Sequence, residues 1–404
     1  MIEPRSPLLS VDDALARLLA GVDGLPAENV PLTEAHGRVL AAPLVARLTQ
    51  PPFDASAMDG YGVRAADAGA AGARLKVIGE SAAGRGFGGR IEVGEALRIF
   101  TGAPLPAGAD AVVIQEDTRR EGDAVIISQA SFAGENVRPM GNDIRAGAAL
   151  FPAGRRLGAR DLMLVASSGH GAVSVARRPT VAILATGDEL VPPGETPGPD
   201  QIVSSIPVGL AGMVAAAGGE PRLMGIARDS LADLDAKIAA AADADILVTI
   251  GGASVGDHDL VQKALTARGL SLAFWRIAMR PGKPLMYGRL GGQRVLGLPG
   301  NPVSAALCAQ IFLLPLIRAL QGGRAVRPTT VGVLAEPLEA NGPRQHYMRA
   351  RIVEAGPPPR VAALPRQDSS LVGVLAEADC LIVVPPGAPA QAAGTQVTVL
   401  QLEG

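Results

Sequence analysis

With 404 residues and 48% hydrophobic content, the chain can bury a core across roughly two to four domains, and general disorder is excluded. Lys plus Arg number 37 against 39 Asp plus Glu, a net charge of −2, and 3% of residues are aromatic. That balance argues against a nucleic-acid partner, an anionic membrane surface and base-stacking platforms. Cys308 and Cys380 lie far apart in apolar runs, so buried thiols are expected, with neither a disulfide framework nor a Cys-based zinc site.

The opening MIEPRSPLLSVDDALARLL places an early acid and further charges in a helical pattern, unlike a secretory signal, and a cytoplasmic location is expected. Ser10 is placed to cap a helix running to about Ala20, with Val11, Ala14, Leu15, Leu18 and Leu19 on its apolar face. Residues 24–50 read as short extended pieces and a short helix near Thr33–Gly37. From Gln50 the text turns to PPFDASAMDGYGV, which sets Asp54, Ser56, Asp59 and Tyr61 in one irregular stretch. It reads either as a site-bearing loop or as a turn-rich surface loop with Asx caps. Between 74 and 130, short β-like runs (Leu75–Ile78, Ala96–Phe100, Ala111–Gln115, Ala124–Ile127) predict a small β domain. Thr101 ends one of them, either as a hydroxyl beside freed backbone or as an ordinary turn residue. Asp143 stands in a Gly-flanked loop between Arg138 and Arg145, where a salt bridge is the simple expectation. Asp161–Ser167 reads as helix.

After Arg178 strands and helices alternate. The strands expected are Val181–Ala185, Leu223–Ile226, Ile246–Ile250 and Leu272–Arg276, then a hairpin of Pro284–Gly288 and Arg294–Leu298. Helices are expected at Val208–Ala217, Leu231–Ala242 and Leu260–Ala267, with a long one from PGNPVSA to about Leu320. The apolar Val303–Leu320 contains Gln310, Pro315 and Arg318, which suits a core helix better than a membrane span. Such alternation predicts a largely parallel sheet whose strand-to-helix loops share one edge. ILVTIGGASVGDHD, taken alone, reads equally as a tight turn with solvated acids or as a backbone cradle for phosphate. Beside it on that edge come Glu189, Asp229, Asp259, the Arg280–Lys283 loop and Pro299–Ser304. Carboxylates there suit a hard cation, and Arg276, Arg280 and Lys283 suit phosphate or an oxyanion; the PGNP loop opens a helix whose N-terminus favours negative charge. Beyond Arg327, the runs Thr330–Leu338, Tyr347–Val353, Arg360–Leu364, Cys380–Val384 and Thr395–Leu402 predict a small β barrel or sandwich of about five strands.

PPFDASAMDGYGV, IFTGAPLPAGADAVVIQED, GNDI, TGDEL, GGASVGDHD, RPGKP and LPGNPVSA, in that order, resemble the molybdopterin molybdenumtransferases, the MoeA family that includes the E domain of gephyrin. The resemblance covers nearly the whole chain. It implies a multidomain α/β protein with a MogA-like three-layer α/β molybdopterin-binding domain at 178–327, a small β domain at 46–146, a linking domain built from 21–45 and 147–177, an N-terminal helix at 7–20 packing on the α/β domain, and a β-barrel-like domain at 328–404. The implied reaction inserts molybdate into adenylylated molybdopterin with Mg²⁺-dependent release of AMP. A homodimer with a shared active site is implied, as are a MogA-type adenylyltransferase and cofactor-accepting proteins as partners.

Matched motif by motif, Asp59, Thr101 and Asp143 correspond to family positions in the small β domain, facing the α/β site of the other protomer. Glu189, Asp229 and Asp259 correspond to the acidic set, with metal binding and phosphate-side chemistry as the implied roles. Gly251, Gly252, Ser254 and Gly256 correspond to the substrate loop; Arg276, Arg280 and Lys283 to the basic positions for molybdate and terminal phosphate. Pro299, Gly300, Asn301, Pro302 and Ser304 shape the loop beside the pterin, and Arg349, Ser369 and Ser370 fall where the last domain completes an oxyanion site. The departures are Ile250 where the family has Ser, Ser204-Ser205-Ile206 in place of an Asp-Ser-Asn run, and Arg at 276 and 280 in place of Lys. A paralogue kept as a molybdopterin-binding or scaffold protein is the alternative from another class. A MogA-like adenylyltransferase is a third reading, opposed by the separate small β domain.

Overall fold

The computed structural model describes residues 8–251, 260–325 and 329–402. The chain divides into two compact units, one made of Asn29–His36 with Ala42–Val173, the other of Met1–Glu28, Gly37–Ala41 and Ser174–Gly404.

The smaller unit is built on a six-stranded sheet: β1 (Gly60–Val63), β2 (Arg74–Ser81), β3 (Glu95–Ile99), β4 (Ala111–Ile114), β5 (Thr118–Glu121) and β6 (Ala124–Ile127), in the order β4-β1-β3-β2-β6-β5. Val63, Leu75, Ala96, Val125 and Ile127 fill its core. The small β domain expected from the sequence is there. One strand was hidden in what reads as an irregular stretch: β1, GYGV, is buried throughout and lies between β3 and β4. Its glycines disguise it, and Gly60 is required, because a Cβ there would stand 2.0 Å from the Val113 carbonyl oxygen. The helix Ala159–Ser167 follows, its first turn held by Asp161, which accepts from the Gly158 N–H at 2.9 Å and pairs with Arg155 at 2.9 Å.

The larger unit begins with α1 (Val11–Leu19), where the Ser10 hydroxyl accepts from the Asp13 N–H at 3.1 Å and Val11, Ala14 and Leu18 are buried. The Tyr287 hydroxyl donates to the Leu18 carbonyl at 3.2 Å and ties this helix to the sheet. That sheet comprises β7 (Thr180–Thr186), β8 (Glu220–Ala227), β9 (Ile246–Ile250), β10 (Ser271–Trp275), β12 (Met286–Leu290) and β13 (Gln293–Leu298), with β11 (Met279–Arg280) diverted elsewhere. Its order is β8-β7-β9-β13-β12-β10. Ile183, Val248 and Leu296 face α2 (Ile206–Ala216) and the helix Pro302–Leu320; Leu184, Leu247 and Val295 face α3 (Leu231–Ala240) and α4 (Leu260–Ala267). These are the three layers expected. The helix Pro302–Leu320 is long and apolar enough to cross a membrane by composition, yet 83% of its apolar window is buried against the protein itself. A π turn at Ala309–Leu313 interrupts it just before Pro315, whose missing N–H leaves the Ile311 carbonyl without its α-helical donor.

The C-terminal strands β14 (Thr329–Leu334), β15 (Gln345–Glu354), β16 (Arg360–Ala363), β17 (Cys380–Val384) and β18 (Gln396–Gln401) run in the order β15-β16-β14-β18-β17. A further β15–β17 pairing closes them into a five-stranded barrel. β11 adds to β15 in parallel, Arg280 opposite His346, so the RPGKP segment is joined to the barrel.

Candidate active site

Strands β7, β8, β9 and β13 are parallel, and their register sets Thr186 beside Ala227 and Ile250 beside both Ala185 and Leu298. β10 runs the same way, because two antiparallel steps, Trp275 to Met286 and Met286 to Gly297, connect it to β13. Five carboxyl ends therefore share one sheet edge, where open α/β sheets bind ligands.

On the β7 loop, Gly187 has φ +144°, and its N–H donates to the Ala227 carbonyl at 3.1 Å. The Glu189 carboxylate folds back over it; a Cβ on Gly187 would lie 2.2 Å from Oε2. The β7 and β8 loops interlock through two acids. The Asp188 N–H donates to Asp229 Oδ2 at 3.4 Å and the Asp229 N–H to Asp188 Oδ1 at 3.2 Å. Arg228 reaches across to the carbonyls of Asp188 and Leu190, at 3.3 and 3.4 Å. Sequence reasoning passed over Asp188 and Arg228; each stands next to a residue it did select, in TGDEL and in the Arg-Asp-Ser turn after β8. Asp188, Glu189 and Asp229 are exposed, and among the described residues no group of three His, Cys, Asp or Glu side chains is close enough to hold a metal ion. Asp259, the third expected ligand, lies outside the described residues, as do Gly252, Ser254 and Gly256.

At the end of β9, Ile250 is 3% exposed, with its side chain in the core, and its carbonyl accepts from the Thr186 hydroxyl at 3.1 Å. Gly251 follows at φ +88°, donating to the Leu298 carbonyl at 3.1 Å; a Cβ there would press on Thr186 O and Oγ1 at 3.0 Å. The β13 loop comes close, since a Cβ on Gly300 would lie 3.7 Å from Gly251 Cα. Pro299 is buried, Gly300 and Asn301 are exposed, and Pro302 and the buried Ser304 begin the core helix.

The barrel meets this loop. Asn301 Nδ2 donates to Ser369 Oγ at 3.1 Å, and the Val303 N–H to the Ser369 carbonyl at 3.0 Å. Ser370 donates to Asp368 Oδ1 from N at 2.8 Å and from Oγ at 2.6 Å, which holds the Asp368 carboxyl below its ordinary range. Beneath them Arg349 is 1% exposed, donating to the Asp368 carbonyl at 2.9 Å, while its Nη2 is buried with no partner. Burial pushes the Arg349 pKa down, and Asp368 partly opposes this.

The basic residues do not form one group. Arg276 stands at the end of β10 on the rim. Arg280 lines a cleft of about 310 Å³ at the barrel with Glu336, Leu338, His346 and Gln367, and Lys283 lines a separate groove with Ala278 and Arg344. The β11–β15 pairing turns Arg280 toward the barrel. His346, which the sequence did not single out, is buried in that cleft. Desolvation, then Arg280, Arg344 and Arg349, push its pKa down to about 4.

In the smaller unit Asp59 Oδ1 accepts from both the Thr101 N–H and the Thr101 hydroxyl, each at 2.8 Å. These two bonds, and then nearby Arg98, hold the Asp59 carboxyl below its ordinary pKa. Arg98 donates to the Gly60 carbonyl at 3.1 Å and to Gln115 Oε1 at 2.8 Å, and lies over the rings of Tyr61 and Phe100. Asp143 is exposed, and its N–H donates to the Gln50 carbonyl at 3.0 Å. The salt bridge expected there is absent: among the described residues neither Arg138 nor Arg145 pairs with it, and backbone bonds instead anchor its loop, with the Ile144 N–H also donating to the Gln50 carbonyl at 3.1 Å and the Gly141 N–H to the Pro51 carbonyl at 2.9 Å.

Comparison with known proteins decides the family. Residues 9–169 match the MoeA N-terminal region (domain I and II), residues 182–319 a probable molybdopterin binding domain, and residues 331–402 the MoeA C-terminal region (domain IV). A molybdopterin molybdenumtransferase from Nostoc is 37% identical over 99% of this chain and 95% of its own. The chain belongs to the MoeA family of molybdopterin molybdenumtransferases. Another member, from Haemophilus influenzae, is 33% identical over 97% of this chain and 98% of its own. A crystal structure of a MoeA molybdopterin biosynthesis protein from Pyrococcus horikosii superposes with a TM-score of 0.84 at 31% identity, covering 98% of this chain and 100% of that one. The MoeA fold thus accounts for the three-layer domain and the closed barrel together.

Proposed function

We propose that the chain inserts molybdate into adenylylated molybdopterin and releases AMP, completing the molybdenum cofactor. The observation that carries this reading is the convergence on one sheet edge of the interlocked acidic loops with the PGNP loop, itself tied to Ser369 above Arg349. In the reaction the oxygen of water adds to phosphorus as the phosphoanhydride P–O bond breaks; AMP departs and the terminal phosphate stays on the pterin, whose two dithiolene sulfurs replace oxo groups of molybdate that leave with the thiol protons as water. Glu189, Asp229 and Asp259 would hold Mg²⁺. Glu189 and Asp229 present exposed carboxylates, and carboxylate oxygens are donors this ion takes alongside phosphate oxygens and water. When bound, it supplies charge neutralisation at the cleaved pyrophosphate. Gly251 and Gly300 leave room for close backbone approach, and the unpartnered Arg349 Nη2 together with Ser369 and Ser370 suits an oxyanion such as molybdate. Arg276 meets a second anionic group.

The chain acts as a homodimer, with Asp59, Thr101 and Asp143 of one protomer serving the rim of the other. AMP release by Glu189→Gln and Asp229→Asn, measured with adenylylated molybdopterin, molybdate and Mg²⁺, tests the assignment. Each is expected to slow turnover at least about 100-fold, as lost charge stabilisation does, and unchanged turnover in both would remove the acidic rim from the mechanism. The scaffold reading gains nothing from Ile250, whose side chain is in the core and whose rim contribution is its carbonyl.

A further inference from the structure

Arg276 and Asn136 are the non-glycine residues with positive φ among the described residues, and Arg276 stands at +72°. A left-handed arginine costs on the order of 1 kcal/mol and persists where its surroundings fix it. Two backbone bonds do so here, from the Arg276 N–H to the Leu285 carbonyl at 2.9 Å and from the Ile277 N–H to the Lys283 carbonyl at 3.0 Å. The side chain is held in a different way. Arg276 Cζ lies 5.0 Å from the centroid of the Trp275 ring, and Nε is buried without a hydrogen-bond partner. Among the described residues no carboxylate pairs with it. Trp275 itself is the last residue of β10, packed against the core under α3 and α4, so the indole is a fixed surface.

A carboxylate in that place would orient the guanidinium but cancel its charge. An aromatic face orients it and leaves the charge for a ligand. We propose that Trp275 is a positioning residue, holding the Arg276 guanidinium on its indole face to meet an anionic group of the substrate at the sheet edge. The proposal rests on the reading of Arg276 as an anion-binding residue.

A double-mutant cycle with Trp275→Leu and Arg276→Ala tests it, read as KM for adenylylated molybdopterin and for molybdate, and as kcat for AMP release. Trp275→Leu is expected to raise one KM roughly three- to tenfold, the scale of a partly desolvated cation–π contact, with kcat within about twofold. Trp275→Phe, which keeps an aromatic face, restores most of the affinity. Arg276→Ala raises the same KM at least as far, and adding Trp275→Leu to it does nothing more. Where Trp275→Leu does not fold, Trp275→Met fills the space without a face and takes its place in the cycle. Effects that multiply in the double variant overturn the positioning role while leaving Arg276 as an anion-binding residue. Unchanged KM values in Arg276→Ala overturn the reading of Arg276, and the proposal with it.

Discussion

Asp59 is a carboxylate kept ionised by one neighbour acting twice, since Thr101 donates both its N–H and its hydroxyl to the same oxygen. Thr101→Val removes the second bond and keeps the shape, so the Asp59 pKa should move up toward the ordinary carboxylate value, followed by side-chain NMR titration, with little change in melting temperature. His346 shows the opposite chemistry. Arg280, Arg344 and Arg349 surround an imidazole that burial already keeps neutral, and Glu336 and Glu339 line the same cleft. Its folded pKa, about 4, is below the ordinary value of about 6.5, so the unfolded chain takes up the proton first as pH falls. The stability this group contributes is therefore complete above about pH 6.5 and is lost progressively down to about pH 4. Replacing it, as in His346→Gln, should flatten the decline in melting temperature between pH 7 and pH 5 measured by calorimetry. A decline of the same steepness in the variant would assign acid sensitivity to other groups.

Elements with continuous apolar β-branched runs were legible in the sequence; β9 and β17 have the expected ends, because each is a five-residue run, too short for a helix, rich in β-branched residues and bounded by turn residues at its far end. β1 was not legible, since glycine carries no side chain from which to read a period, and the need for Gly60 exists only against Val113 of β4. The site follows the same division. Acidic and PGNP loops could be placed on one edge from strand order alone. The separation of Arg280 from Lys283 could not, because it arises from the β11–β15 pairing, whose partners Arg280 and His346 are far apart in the chain. Gly282 gives a test of how tightly that segment is built. At φ +107°, with a Cβ landing 2.6 Å from Cys308 Sγ, Gly282→Ala should destabilise by about 2 kcal/mol or more in urea unfolding, combining backbone strain with overpacking. A change within about 0.5 kcal/mol would mean that the segment yields.

At the scale of the whole molecule, a site shared between two protomers, as proposed above, makes a prediction that no single-chain variant reaches. A dimer of mass near twice 41.0 kDa is expected by light scattering. Asp59→Ala and Asp229→Ala should each be inactive alone, yet mixed dimers hold one intact site. Co-expression should therefore recover about a quarter of the wild-type activity, since half the dimers are mixed and each has one working site of two. No recovery would confine each site to one chain. The direct measurement of the reaction is to supply the purified protein with adenylylated molybdopterin, molybdate and Mg²⁺, and to follow AMP and the reconstitution of an apo-molybdoenzyme together. AMP is expected to appear in step with active cofactor. Tight pterin binding with neither product would contradict it and leave the chain a binding protein on a transferase fold.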